Sequence, residues 1–408
     1  MRLPLVAGLL VACLVAPAAA LDETKDQETI AELLATPPPP TDGRKNTVAE
    51  RRWSILPQIG YGPETGGVGG VKYEHRNFLD LGIDFDVSGT YAMNQQQSLS
   101  VDVGYPHLLD DRVLLLLRVG YDYDPQVEFF SLGNNNVGPD AASTHSFQDA
   151  KGAFTIGWRP WPRLAVNGSV GIRYVEVGHG DRDGSTPFTQ QRFPDLVGND
   201  GGFVVPLTLS LVWSTRDNVV RPTRGWRAIA VLTHADRVLL SDWEFTRVVG
   251  DVSYLFPLFG GRQVLGARLN GGYVFGPRRA VPFWELEEAG GDDTLRGFFP
   301  ERFLGTARLL ATLEYRAKLF EFDFFHIWRV QVDGALFGEA GRVYVDREAL
   351  VRDFGLTEKQ ARVTDDDVRF SYGAGLRFAL SRALIARVDV GFSEEETALV
   401  YLEFGHTF

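Results

Sequence analysis

From Trp53 to the carboxy-terminus, apolar and polar residues alternate with a period of two in segments of about ten residues. No apolar run approaches the ~20 residues a membrane-crossing helix needs. In "GFVVPLTLSLVWST", Phe203, Val205, Leu207, Leu209, Leu211 and Trp213 share one face, with Thr208, Ser210 and Ser214 on the other. In "TARLLATLEYRAKL", Leu309, Ala311, Leu313 and Tyr315 oppose Arg308, Thr312, Glu314 and Arg316. Further on, Phe370, Tyr372, Ala374, Leu376 and Phe378 oppose Ser371 and Arg377, and Leu384, Ala386, Val388, Val390 and Phe392 oppose Arg387 and Asp389.

A soluble sandwich also alternates, but three features point to lipid. The polar faces carry full charges and glycines, as a wet lumen tolerates. Aromatic residues gather near the ends of the apolar faces, as interfacial girdles do. The chain ends inside a strand, "ALVYLEFGHTF", whose Ala398, Val400, Leu402, Phe404 and terminal Phe408 share parity. A sheet in hydrocarbon must close, because an open edge leaves backbone groups unpaired. The expected fold is all-β, a 16-stranded antiparallel transmembrane β-barrel. Its strands should centre near residues 57, 70, 87, 101, 116, 153, 170, 209, 231, 249, 268, 312, 334, 374, 388 and 402.

Residues 1–20 read as a secretory signal peptide, with Arg2, an apolar stretch and a small-residue site ending at Ala20. The rival reading is lipidation at Cys13, the sole cysteine. Residues 21–52 form a periplasmic tail or linker, with a short amphipathic stretch (Ile30, Leu33, Leu34) before Pro37 to Pro40. A disordered tail is favoured there over a plug or docking peptide. Residues 53–408 are the barrel. The formal net charge of -12 and the lack of Lys/Arg clusters argue against a nucleic-acid partner.

Enzymatic patterns are poor. "VNGSVG" around Ser169 lacks the first glycine of a nucleophile elbow and lies within a strand. "GHGDRDG", with His179, Asp181 and Asp183, lacks the spacing of a calcium loop. "DDD" at 365–367 and "EEE" at 394–396 read as solvated loop charges. No catalytic residue, metal site or cofactor is expected.

The long connection "GPRRAVPFWELEEAGGDDTLRGFFPERFLG" is a functional-loop candidate. Its "TLRGFFPERF" resembles the VRGF/Y motif of the sixth extracellular loop in the BamA/TamA-like family of outer-membrane assembly factors, also called bacterial surface antigens. Further stretches resemble the family in the same order. These are "LPQIGYGPETGGVGG", "EFFSLGNNN" with Ser131 where glycine is usual, the periplasmic turn "STRDNVVRPTRGW" and "ALFGEAGRVY".

The resemblance implies an inward-folded loop whose Arg296, Gly297 and Phe298 enter the lumen. It also implies that the arginine docks on Glu339, standing where the family usually has aspartate. Parity adds Glu314 as a second acid. Asp217, Pro222 and Gly225 would shape the periplasmic turn, and Phe404 and Phe408 would carry the carboxy-terminal strand pattern.

Members insert or translocate other proteins in the bacterial outer membrane. The expectation is therefore an integral outer-membrane barrel for protein assembly or translocation. Its partners would be outer-membrane lipids, client outer-membrane or secreted proteins and a separate periplasmic accessory protein, since residues 21–52 are too short for a POTRA module. The alternative is a passive pore or structural barrel.

Overall fold

The computed structural model describes Gln27, Ile30 and residues 53–404, except 135–141, 181–185, 219–220, 325–327, 363–366 and 381–383. The leader, Cys13, Ala20, most of 21–52, Asp181, Asp183 and Phe408 lie outside the described residues.

Sixteen antiparallel strands form the barrel. They are β1 (Trp53–Gly62), β2 (Gly66–Phe78), β3 (Ile83–Ala92), β4 (Gln97–Leu108), β5 (Val113–Phe129), β6 (Ser143–Trp161), β7 (Leu164–His179) and β8 (Leu207–Ser214). The second half comprises β9 (Gly225–Ala235), β10 (Phe245–Leu258), β11 (Gln263–Phe275), β12 (Ala307–Phe324), β13 (Trp328–Tyr344), β14 (Arg369–Leu380), β15 (Leu384–Ser393) and β16 (Leu399–Phe404). All sixteen expected centres fall inside one of these strands. Each strand pairs with its chain neighbour, and β1 meets β16 to close the ring.

Period two sorts the side chains as the sequence requires. Leu207, Leu209, Leu211 and Trp213 are exposed on the lipid side, whereas Ser210 and Val212 are buried inside. Leu309 and Leu313 likewise face out, while Thr312, Glu314 and Arg316 face in. Because alternate strand residues take opposite faces, charges can line the lumen while the wall stays apolar. Before β8, a short piece (Gly202–Val204) pairs with β7, and the ladder resumes beyond Pro206, which has no N–H to give.

The connections divide by length. The turns on the side of Trp53, the periplasmic end, are mostly tight hairpins. On the other side three are short (63–65, 93–96 and 394–398), and the long ones pack on one another. Phe129, Val175, Phe193, Phe283, Leu350 and Phe354 belong to one buried apolar cluster there. It draws in α1 (Thr189–Arg192), α2 (Arg347–Arg352) and α3 (Glu358–Ala361), so the extracellular mouth carries a packed dome.

The lumen has an apolar shelf made by Leu114, Leu116, Ala165, Val212, Ile229, Val231 and Val249 of β5, β7, β8, β9 and β10. Ile30 packs on it. Gln27 lies beside it, its Oε1 accepting from Ser210 Oγ at 2.6 Å and Asn167 Nδ2 at 3.2 Å. Both residues have helical backbone.

Candidate functional site

The loop between β11 and β12 starts as a small ladder, residues Glu287–Ala289 pairing with Phe303–Gly305. Gly290 and Gly291, at φ 122° and 89°, turn the chain at its base. Leu295, Phe298 and Phe303 then bury with Ala289, Leu310 and Val343. That apolar plug of the loop against β12 and β13 fixes where Arg296 emerges.

Arg296 is fully buried. Its Nε and Nη2 donate to Glu339 Oε1 at 2.9 and 2.7 Å, and its backbone N–H donates to Glu339 Oε2 at 2.7 Å. Nη1 donates to Asp389 Oδ2 at 3.0 Å and reaches Glu314 Oε2 at 3.4 Å. The guanidinium also lies over the Phe337 ring, 3.4 Å from its centroid. Charge-assisted bonds of this kind are strong only where water is excluded and geometry is fixed, and the planar fork supplies that geometry.

The acids are held in turn. Arg377 donates to Asp389 Oδ1 at 2.5 Å and to Glu314 Oε2 at 3.0 Å. Ser371 Oγ donates to Glu339 Oε2 at 3.1 Å. Arg316 approaches Glu314 at 3.6 Å. Three carboxylates on β12, β13 and β15 thus face three guanidinium groups, which is how buried charge is tolerated.

Gly297 requires its residue type. Its φ is 99°, and a Cβ there would sit 2.8–2.9 Å from the Phe392 backbone. Its N–H donates to Tyr401 Oη at 3.1 Å, and the Tyr401 hydroxyl donates to Phe298 O at 3.2 Å. Ser393 Oγ donates to Gly297 O at 2.6 Å.

The rest of the loop is clamped by complementary charge. Glu285 accepts from Arg173 Nη1 at 2.5 Å and from Arg247. Glu287 faces Arg308 at 3.4 Å. Arg302 donates to Glu395 at 2.6 and 2.8 Å, with its guanidinium over Phe130. Arg387 meets Asp292 at 2.7 Å and also Glu403.

Sequence reasoning missed several of these partners. Asp389 and Arg377 had been placed on polar faces, but which depths meet across the lumen is not readable from parity. Phe337 shared the face of Glu339 without a role. The expectation of solvated charges at 394–396 fails for Glu395, which is largely buried against Arg302, while Glu394 stays 58% exposed as it pairs with Arg369 at 2.5 Å.

At the opposite end, the turn between β8 and β9 is built on Asp217. Its carboxylate accepts from Thr223 Oγ1 at 2.6 Å and from the N–H groups of Thr223 and Arg224 at 2.9 and 3.2 Å. Partial burial pushes this carboxyl up, but these donors outweigh it and hold it below the usual aspartate range. Gly225 has φ 115°, and a Cβ there would lie 2.5 Å from Thr215 O. Pro222 follows Arg221, whose Nε and Nη2 donate to Asp333 at 3.1 and 3.3 Å and whose Nη1 donates to Gln331 Oε1 at 2.7 Å.

Ser131 adopts φ 85°, a glycine-like conformation. Ser169 only shares a hydrogen bond with Thr155, at 2.8 Å. His179 stacks on Phe188. The backbone of Phe404 pairs with Ala386.

Closure of the ring is uneven. Between β1 and β16 a single register pair, Tyr61↔Leu402, is formed among the described residues. The neighbouring junctions carry ten pairs (β1 with β2) and six (β15 with β16).

Solved structures share this architecture. BamA from Haemophilus ducreyi lacking POTRA domains 1-3 superposes with a TM-score of 0.63 at 17% identity, over 87% of this chain and 70% of that one. CdiB from Escherichia coli gives 0.59 at 12% identity, over 86% and 62%. CdiB from Acinetobacter baumannii gives 0.52 at 11% identity, over 85% and 57%. The chain thus spans less than two thirds of either CdiB chain. No curated protein sequence matches it. Residues 77–408 match the Omp85 superfamily domain, and the chain belongs to that superfamily as an integral β-barrel of the bacterial outer membrane.

Proposed function

We propose that this barrel assembles or translocates client proteins at the outer membrane, working at the junction of β1 and β16. The observation that carries the reading is the contrast in closure among the described residues: one register pair at that junction against six and ten beside it. A strand end with unpaired N–H and C=O groups is a template for another strand, so a client strand could add there by β-augmentation.

The occupied lumen favours this reading over a passive pore. The loop around Arg296 reaches the inner wall from the outside, the dome packs above it, and Ile30 and Gln27 lie on the wall below. In this reading Arg296 with Glu339, Glu314 and Asp389 anchors the loop, and Phe298 seats it. The 21–52 segment acts as a tail that places Gln27 and Ile30 inside. Asp217, Pro222 and Gly225 hold the turn beneath, and clients come from a separate periplasmic carrier protein.

The test is a lock on the junction. In a Cys13→Ser background the chain has no thiol. Tyr61→Cys with Leu402→Cys then places two cysteines at directly opposed strand positions, within disulfide reach. Folding of a client barrel into liposomes should accelerate with the reduced protein and return to the unassisted rate after oxidation. Equal acceleration by the locked protein would overturn the seam mechanism. No acceleration with any client, together with large steady conductance in planar bilayers, would establish the pore instead.

A further inference from the structure

Three periplasmic hairpins are built alike. Their four-residue loops read Leu-Asp-Leu-Gly (79–82), Leu-Asp-Asp-Arg (109–112) and Phe-Gly-Gly-Arg (259–262). Each closes between paired residues, Phe78↔Ile83, Leu108↔Val113 and Leu258↔Gln263. In each, the first residue is bulky, apolar and left-handed, with φ 55° at Leu79, 50° at Leu109 and 47° at Phe259. The second stays in the same region, at 60° for Asp80, 57° for Asp110 and 68° for Gly260.

Left-handed backbone crowds Cβ against the following carbonyl, so these positions usually go to Gly, Asn or Asp. Asp and Gly duly fill the second position. The first breaks the rule three times. Nothing within the chain compensates, because Leu79, Leu109 and Phe259 are 70%, 74% and 78% exposed. Among the described residues, Leu240 alone adds another case, and it ends a 3-10 turn on the extracellular side. Strain kept three times at an exposed apolar side chain implies a contact outside the chain.

We propose that Leu79, Leu109 and Phe259 are wedges seated in the inner-leaflet phospholipids of the outer membrane, setting the barrel's depth. Their spacing favours lipid over a protein partner. The hairpins β2–β3, β4–β5 and β10–β11 are spread around the ring, and only a surface surrounding the whole barrel meets all three. The tips also continue the exposed lipid-facing wall, through Leu81 beside Leu79, Trp158 and Trp161 on β6, and Phe256 and Leu265 beside Phe259. Arg112 and Arg262 fill the fourth loop position in two of the three, and Arg163 lies in the β6–β7 turn. Long cationic side chains beside apolar anchors suit a layer of lipid phosphates.

The experiment uses the full chain in the Cys13→Ser background. Single variants Leu79→Cys, Leu109→Cys, Phe259→Cys and, as the aqueous control, Asp110→Cys are labelled with a polarity-sensitive fluorophore. They are folded into phosphatidylethanolamine–phosphatidylglycerol vesicles. The three tip labels should emit to the blue of the control, be quenched by brominated acyl chains, and be at least threefold less accessible to iodide. Equal iodide access at tips and control, without quenching by brominated lipid, overturns the proposal and leaves a soluble partner as the occupant.

Asn tolerates left-handed backbone, so the combined variant Leu79→Asn, Leu109→Asn, Phe259→Asn should fold in detergent as the parent does. Its rate of folding into vesicles should fall at least threefold. An unchanged rate would also overturn the proposal.

Discussion

Two arginines reach the inner face of β13 from opposite ends of the barrel. Arg296 descends in the extracellular loop and binds Glu339, while Arg221 rises from the periplasmic turn and binds Asp333. Both acids share strand parity with Phe337, so one face of one strand receives both. The surroundings differ. Arg296 has no exposed side-chain surface and meets three carboxylates and a ring, whereas the Arg221 side chain is 32% exposed and meets one carboxylate and one amide. Similar chemistry should therefore carry different weight: a buried pair is costly to break, because a lone charge is left behind, and an exposed pair is worth little.

That contrast can be broken by mutation. Arg296→Ala should lower unfolding free energy by about 3–5 kcal/mol, read by denaturant titration in detergent. It should also lower the temperature at which the folded band is lost on gels, and admit trypsin to the loop. Wild-type values in all three would refute the anchor. Arg296→Lys should fall between, since a point charge cannot replace the fork.

Next in size is Gly297→Ala, at about 1–3 kcal/mol, from the left-handed backbone and the crowding against Phe392. If its stability matches wild type, the loop adjusts more freely than its packing implies. Arg221→Ala should cost about 0–1 kcal/mol and weaken further in high salt. A loss as large as that at Arg296 would erase the distinction between the two ends.

The smallest effect is a pH dependence at Asp217. Its carboxyl is held below the ordinary value of 3.8, so its contribution is full above that value and is lost as pH falls through the folded-state value. Asp217→Asn should therefore be less stable than wild type at neutral pH, with the gap closing in acid. A gap that widens in acid would reverse the sign.

The wall was more legible than the site. Period-two patterning is imposed along each strand by lipid on one side and a polar lumen on the other, so sixteen centres could be read directly. Arg296, Glu339 and Glu314 were reachable because a recurring motif and strand parity both mark them. Asp389 and Arg377 were not, because their meeting depends on the relative depth of β12, β14 and β15. The left-handed tips were hidden for another reason. Leu-Asp gives no hint of a positive φ, since sequence rules reserve that backbone for Gly and Asn. Glu395 misled because a charge run looks solvated until the dome brings Arg302 to it.

Tyr401 has a mechanical consequence. Its hydroxyl joins Gly297 and Phe298, and Glu403 on the same strand meets Arg387 beside Asp292. The final strand is thereby tethered to the loop and, through it, to β12, β13 and β15. On the other flank of the closure, the buried side-chain amide of Gln58 on β1 has no hydrogen-bond partner among the described residues. A cylinder fastened this way has a fixed jamb on the carboxy-terminal side, so in the seam mechanism proposed above β1 is the leaf that would swing.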